Sequence, residues 1–354
     1  MPQTSSIQKR SLSSVPSAKL FTMLACLLMV ATYPFSSDAF VVPAFRTTGP
    51  LRSSIMATSL RMSTELSDLR VMVNGMPGPM ATAAAEASLR KGLELSPVAM
   101  TGPDVAPCTI TVTDSVTGKS ADVRLVPASQ REELVSAVEG LKTACGPKNL
   151  IAIDFTHPSA VNANGKFYAE MNIPFVMGTT GGDREQLIGD MDEAKHFCVI
   201  APNMAKQIVA LQAGLEDLAK NFPGAFEGYK MHVRESHQKT KADTSGTAKA
   251  IVDSLKQLSD DDFQVSDIEK IRDDKESIDF GVPEEGLKGH AFHTYTLTSA
   301  DGTVEFQLKH NVVDRTVYAE GTADGVKFLA GKIREEKEGK IYNMIDVLES
   351  GELE

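Results

Sequence analysis

The feature that most constrains this chain is a short apolar run, Val71-Met72-Val73, that stops at Asn74-Gly75 and gives way to an Ala-rich stretch over residues 80–91. The run has strand character, the Asn-Gly pair turns the chain, and the alanines favour helix. The same alternation recurs. Strands are expected over residues 97–100, 150–155, 173–177 and 197–200, and helices over 130–141, 160–171 and 183–194. Strands interleaved with helices point to a doubly wound parallel sheet. Residues 109–112 and 121–126 flank Thr117-Gly118 and alternate polar with apolar, so a hairpin is expected inside this α/β pattern.

After residue 205 the pattern changes. A helix is expected over 206–221, and the runs 226–233, 292–297 and 304–310 alternate like a half-buried antiparallel sheet. Residues 260–279 are charged with weak periodicity and read as loops and surface. Residues 319–348 have helical composition again, which makes a return to the first sheet and a discontinuous first domain the expectation. The resulting division is 67–203 with 315–354 for one α/β domain, and 204–314 for an α+β domain with a mixed or antiparallel sheet.

With 42% apolar and 23% charged residues in 354, the composition excludes a disordered or fibrous chain. Its charge is uneven. Residues 1–62 carry six basic side chains against one acid, which leaves the rest sixteen charges negative where the whole chain is at −11. The apolar run at 20–30 is far short of the ~20 residues a membrane-spanning helix needs and suits a signal-peptide core. Small residues precede a plausible cut at Ala39, and 41–62 are rich in Ser, Thr and Arg without an acid. The pair, signal-like over 1–39 and transit-like over 40–62, resembles the bipartite plastid presequence of algae with secondary plastids; a plain secretory leader is the alternative. Localisation in a plastid stroma follows from the resemblance. Cys26 would leave with that leader. Cys108, Cys145 and Cys198 have no metal-ligand spacing and are expected as reduced thiols in or near the core.

Four loops carry the chemistry. Gly75-Met76-Pro77-Gly78-Pro79-Met80 lies where the first strand becomes the first helix, the place where a dinucleotide pyrophosphate rests on helix N–H groups. Pro77 and Pro79 remove two of those donors. Phe155-Thr156 and Gly178-Thr179-Thr180 follow two further strands, at the carboxyl edge where open α/β sheets bind ligands. The strand at 97–100 ends in Thr101-Gly102 without the acid that usually grips the adenosine ribose, so NADPH is the expected cofactor and NADH a possible one. Glu94 precedes that strand, at its wrong end. The fourth segment runs from Arg234 to Ala248. His237 is an acid or base for neutral pH, Lys241 a fixed cation, and the N–H groups of Ser245, Gly246 and Thr247, with Thr244 or Ser245 as N-cap, an anion cradle at the start of a helix. A capped surface loop would show the same residues.

In this order, Asn74 to Met80, Asp154 to Thr156, Phe175 to Gly181, Ala201-Pro202-Asn203-Met204, Glu235 to Ala248 and Gly289 to His293 resemble the dihydrodipicolinate reductase family, the 4-hydroxy-tetrahydrodipicolinate reductases of lysine biosynthesis, and its plant-type branch in particular. The resemblance covers about residues 69–348. It implies a Rossmann-like domain and NAD(P)H-dependent reduction of a cyclic dicarboxylate, with hydride to ring C4. By it, Gly75 to Met80 hold the pyrophosphate, Phe155, Thr156, Gly178, Thr179 and Thr180 the nicotinamide side, and Ala201, Pro202, Asn203 and Met204 touch the cofactor where the chain leads into the second domain. His237 matches the proton donor, Lys241 the second catalytic group, and Ser245, Gly246 and Thr247 the carboxylate cradle. Gln238 stands where bacterial members often have a second His and counts as a substrate contact. Ala81 and Pro79 depart from the family's usual Gly and basic residue. No metal is implied, and a homo-oligomer, dimer or tetramer, is.

Two other readings use the same cofactor loops. An aspartate-dehydrogenase or sugar oxidoreductase need not pair His237 with Lys241, and a non-enzymatic NAD(P) sensor would lose the 237–247 segment. Nucleic acid is a poor partner for so acidic a chain. His290 and His293 either reach substrate or pack in their sheet, with packing favoured for His293.

Overall fold

The computed structural model describes residues 68–351. The expected presequence and Cys26 lie outside them. In chain order the elements are β1 (Arg70–Asn74), α1 (Pro79–Arg90), β2 (Glu94–Leu95), β3 (Val98–Thr101), β4 (Cys108–Thr113), β5 (Ser120–Pro127), α2 (Arg131–Cys145), β6 (Leu150–Asp154), α3 (Val161–Glu170), β7 (Phe175–Met177), α4 (Arg184–Glu193), β8 (Cys198–Ile200) and α5 (Lys206–Asn221). There follow β9 (Lys230–His237), α6 (Gly246–Ser259), β10 (Glu269–Ile271), α7 (Asp274–Asp279), β11 (His290–Thr298), β12 (Glu305–Val313), α8 (Thr316–Glu335), β13 (Ile341–Tyr342) and α9 (Met344–Glu349).

Six strands form a parallel sheet in the order β13-β8-β7-β6-β1-β2. Both faces are covered, and the strands show it residue by residue. Val71, Val73, Ile151 and Ile153 pack with Ala81, Ala84 and Ala85 of α1 and with Ala323, Val326 and Leu329 of α8. Met72, Leu150 and Ala152 point the other way, onto Leu134 of α2, Phe167 and Tyr168 of α3 and Leu187 of α4. Successive side chains alternate faces, so a strand covered on both sides must be apolar throughout. Near the C-terminus, β13 joins this sheet beside β8 and α8 lies against α1.

The expected second parallel strand is not in that sheet. The edge is the two-residue β2, while β3 pairs with β5, and β5 with β4, in a separate three-stranded sheet. Ser96 still donates its N–H to the Val71 carbonyl at 2.8 Å, but Pro97 has no N–H to continue the ladder and the chain leaves. Glu94 sits on β2 opposite Arg70, with which it pairs at 2.6 Å, far from a ribose position. The hairpin at Thr117-Gly118 is present as β4 and β5.

A mixed sheet of order β10-β9-β11-β12 carries the second half, β10 parallel to β9 and the others antiparallel. The strand expected over 226–233 starts later, because Gly224 and Gly228, at φ 74° and 80°, build turns first. It then runs through His237, so Arg234 to His237 are strand and not loop. Residues 260–279, expected as surface, contain β10 and α7. Cys198 is buried and Cys145 half-buried, but Cys108 is exposed, against the expectation for all three. Among the described residues no helix is long and apolar enough to cross a membrane.

Gly321 in α8 shows how tightly the C-terminal helix is seated. A Cβ there would fall on the main-chain oxygen of Met204 and 2.9 Å from the Met344 methyl. Main chain cannot yield as a flexible side chain would, so Gly321→Ala should lower unfolding free energy by roughly 1–3 kcal/mol. Urea unfolding checks this, and an unchanged midpoint would refute the close packing.

Candidate active site

Because β1, β6, β7 and β8 are parallel, the turns that follow them meet along one edge. A buried carboxylate organises that edge. Asp154, at the end of β6, accepts from Tyr168 Oη at 2.7 Å, Asn164 Nδ2 at 2.9 Å, Thr179 Oγ1 at 2.6 Å and Thr156 Oγ1 at 2.8 Å. Thr156 N–H also donates to Thr179 Oγ1, and Arg184 holds the Thr179 carbonyl at 2.6 Å. The loops after β6 and β7 are thereby fixed to each other.

The glycine turn is built for close approach. Gly75 has φ 103°, and a Cβ on it would strike the Phe155 carbonyl. Its N–H bonds Met100 O at 3.0 Å and that of Gly78 bonds Gly75 O at 2.9 Å. With no donor on Pro77 or Pro79, the N–H groups of Met76 and of Met80 and Ala81 in the first turn of α1 are left for an anion. A cavity of about 810 Å³ runs beside them, lined by Gly75 to Met80, by residues 100–105 and by Phe155 and Thr156. The argument from a missing acid needs correction at this point. β3 does end without a carboxylate, but Asp104 lines the cavity just beyond it, and neither Lys nor Arg does. A neighbouring hollow of about 300 Å³ is lined by Met80, Phe155, Thr156, Gly178, Thr179, Thr180, Pro202, Met204 and Tyr318. Ala201 and Asn203 stand outside it.

On the mixed sheet, Met231 and Val233 of β9 and Tyr295 and Leu297 of β11 pack under Ile251, Val252 and Leu255 of α6. With side chains alternating, the same face continues into Glu235 and His237 on β9, His293 opposite Glu235, and His310 opposite His293. An apolar face thus ends in a buried polar cluster beneath the start of α6. Glu235 is fully buried; the Arg272 guanidinium pairs with one oxygen, and Ser245 N–H donates to the other at 3.1 Å. Ser245 also N-caps α6 by accepting from Ala248 N–H. Its own N–H is therefore not free for a ligand as expected, and only those of Gly246 and Thr247 remain. Thr247 Oγ1 accepts from Asn203 Nδ2 at 3.1 Å.

His237 is 6% exposed. Its Nδ1 lies 3.1 Å from the His290 carbonyl and its Nε2 3.2 Å from Nε2 of His293. Burial first, then the Arg272 and Lys241 charges, push it down to about 4. Burial likewise holds His293 well below the usual imidazole range and His310 down at about 4. Burial and the nearby cations thus favour the neutral imidazole over the imidazolium at His237. Lys241 Nζ pairs with Asp243 at 2.8 Å, which offsets part of its charge. His237, Gln238 and Lys241 line a cavity of about 310 Å³ with Met80, His290, Asp314, Arg315 and Tyr318; Ser245, Gly246 and Thr247 do not line it. Met80 borders all three cavities and Tyr318 two, so the two halves of the site adjoin. Glu235, His237 and His293 also present three donor atoms within 4.8 Å. Both Glu235 oxygens are already engaged, however, which argues for an anchor rather than a metal ligand.

Sequence reading missed Arg272, Arg315 and the partners of Glu235. Glu235 carried a local signal, its i, i+2 spacing to His237 on a strand; Arg272 carried none. A parallel sheet with small hydroxylic loops on its carboxyl edge, beside a cavity holding imidazole and ammonium groups, is the arrangement of a nicotinamide-dependent oxidoreductase. The family model for the N-terminus of dihydrodipicolinate reductase matches residues 69–204, and that for its C-terminus matches 208–348. The chain belongs to the dihydrodipicolinate reductase family. It is 44% identical over 286 residues to a chloroplastic 4-hydroxy-tetrahydrodipicolinate reductase 2 of Arabidopsis thaliana, covering 80% of this chain and 78% of that one. A probable chloroplastic reductase 1 of Oryza sativa subsp. japonica is 42% identical over 284 residues, 80% and 79% of the two chains. Among solved structures, a dipicolinate-bound dihydrodipicolinate reductase from Paenisporosarcina sp. TG-14 has TM-score 0.49 at 19% identity, over 77% of this chain and 97% of that one.

The imidazoles predict an acid transition. Their folded values lie below the unfolded value of about 6.5, so between pH 6.5 and about 4 the unfolded chain binds more protons. Stability should then be flat above pH 6.5 and fall as pH drops through that window. His310→Phe, which keeps a ring and removes a titrating group, should flatten the slope of melting temperature against pH; an identical slope would contradict the assignment.

Proposed function

We propose that the chain reduces 4-hydroxy-tetrahydrodipicolinate to tetrahydrodipicolinate with NAD(P)H, in lysine biosynthesis by the diaminopimelate route. The observation that carries this reading is the shared wall of Met80 and Tyr318, which sets the cofactor loops against the cavity of His237, Lys241 and Arg315. In this assignment residues 67–203 with 315–354 bind cofactor, and residues 204–314 bind substrate and join subunits. Met76, Met80 and Ala81 offer N–H groups to the pyrophosphate, and Gly178, Thr179 and Thr180 border the nicotinamide. The bound cofactor supplies a hydride to ring C4. His237 supplies the proton to the adjacent carbon, and Lys241 and Arg315 face the carboxylates, where fixed positive charge stabilises what develops on the ring. Gln238 contacts substrate from the same wall, whereas Gly246 and Thr247 do not line this cavity. The names of the plant relatives and the basic leader support work in a plastid stroma.

An assay coupled to dihydrodipicolinate synthase, following NADPH oxidation, tests the activity. His237→Gln and Lys241→Ala should each lower turnover by about 10²-fold or more with NADPH binding retained. Near wild-type rates in either would sink the roles. Both cofactors are expected to serve, since no carboxylate closes β3 and no cation lines the cavity for a 2′-phosphate. Removing the Asp104 charge should help NADPH alone: in Asp104→Asn its KM should drop severalfold while that for NADH stays put. Equal shifts for the two would disprove a part for Asp104 in the choice.

A further inference from the structure

We propose that His293 is a positioning residue that holds His237 unprotonated and turned inward until a dicarboxylate occupies the site. This rests on His237 being the proton donor. The inference starts from the ring nitrogens. A carbonyl oxygen can only accept, so the Nδ1 of His237 that meets His290 O must carry hydrogen. The other nitrogen, Nε2, faces Nε2 of His293 at 3.2 Å, and two facing nitrogens at that distance share one proton.

Which ring holds the shared proton is decided one atom further on. Nδ1 of His293 is buried and has no hydrogen-bond partner, and His293 is 1% exposed. For His237 to carry a second proton on Nε2 it would have to become an imidazolium by taking one more proton, and His293, then accepting at Nε2, would have to hold its own hydrogen on Nδ1 as a buried donor without an acceptor, which is the costlier arrangement. His293 therefore keeps Nε2–H and donates it, and His237 offers a lone pair. Both nitrogens of the proton donor are thus occupied inside the protein. A proton can reach substrate from His237 only after the pair opens.

The groups facing His237 agree with a trigger by a dianion. They are Glu235 on its own strand, Lys241 beyond it, Arg272 after β10, His290 and His293 on β11, His310 and Tyr295 behind them, and Asp314 with Arg315 ahead of α8. Glu235 is neutralised by Arg272. Arg272 and then Lys241 oppose a charged imidazole; Lys241 and Arg315 line the cavity, where two carboxylates would compensate them. Occupation of the cavity thus favours an imidazolium turned toward the ligand.

Histidine labelled with ¹⁵N reads the tautomers directly in the whole protein, with His237→Gln to assign the signals. In wild type, His237 should show Nδ1 protonated and Nε2 bare, and adding NADPH with pyridine-2,6-dicarboxylate should protonate Nε2. His293→Phe should raise the His237 titration midpoint by about one pH unit or more and carry the basic limb of kcat/KM with it. His293→Gln, whose amide can still donate, should stay near wild type. A protonated Nε2 in free wild type, which requires no variant to fold, would overturn the proposal. So would an unmoved midpoint in folded His293→Phe. If the shifts appear but His237→Gln turns over at the wild-type rate, the proton-donor role fails while the His293 lock stands.

Discussion

The substrate side of this molecule depends on one buried charge, the Glu235 carboxylate. A carboxylate with no exposed surface is tolerable only when its charge and lone pairs are met. Arg272 meets one oxygen and Ser245 N–H the other, at the N-terminus of α6 where the helix dipole also favours an anion. Arg272 in turn donates to the carbonyls of Lys241 at 2.7 Å and Asp243 at 3.2 Å. One ionic contact thereby fixes the end of β9, the turn after β10, the start of α6 and the course of residues 241–245.

Asp154 performs the matching task at the carboxyl edge of the parallel sheet. Its partners come from α3, from Thr156 and from Thr179, so the two loops that border the smaller hollow beside Met80 share one anchor. In both halves the charge that organises the site is kept out of the cavity and works through the groups it holds. The halves are joined by the Asn203 to Thr247 hydrogen bond, by the Lys206 to Asp324 ion pair at 2.6 Å, and by Ala205, Ile208 and Val312 packed against Val317 and Tyr318.

What could be read in the sequence was what is local. The strand-turn-helix unit, the apolar centres of β1 and β6 with the apolar β7, the helix over Lys206–Asn221 and the capped start of α6 follow from short-range pattern and turn chemistry, and the structure has them. The exceptions each involve a partner distant in sequence. β3 left the parallel sheet because Pro97 breaks a ladder that only its neighbour defines. Arg272 lies in a charged stretch whose burial depends on Glu235, 37 residues away. His237 reads as a titrating imidazole in any local view; its depressed protonation comes from the strand beside it and the cations around it.

That depression sets a condition on catalysis. Burial and the Arg272 and Lys241 charges disfavour the imidazolium of His237, and the negative charge of the proposed substrate acts against them. A carboxylate roughly 5 Å away, at an effective dielectric of about 20, contributes on the order of 3 kcal/mol, or about two pH units, to an imidazolium. A dicarboxylate can therefore bring His237 to neutrality's edge, and cations that bind it partly screen that gain. The site consequently needs enough positive charge to hold the dianion and not so much that His237 stays bare. Pairing Arg272 to Glu235 and Lys241 to Asp243 moderates the field in that sense, leaving the bound ligand's own charge to decide when the acid forms.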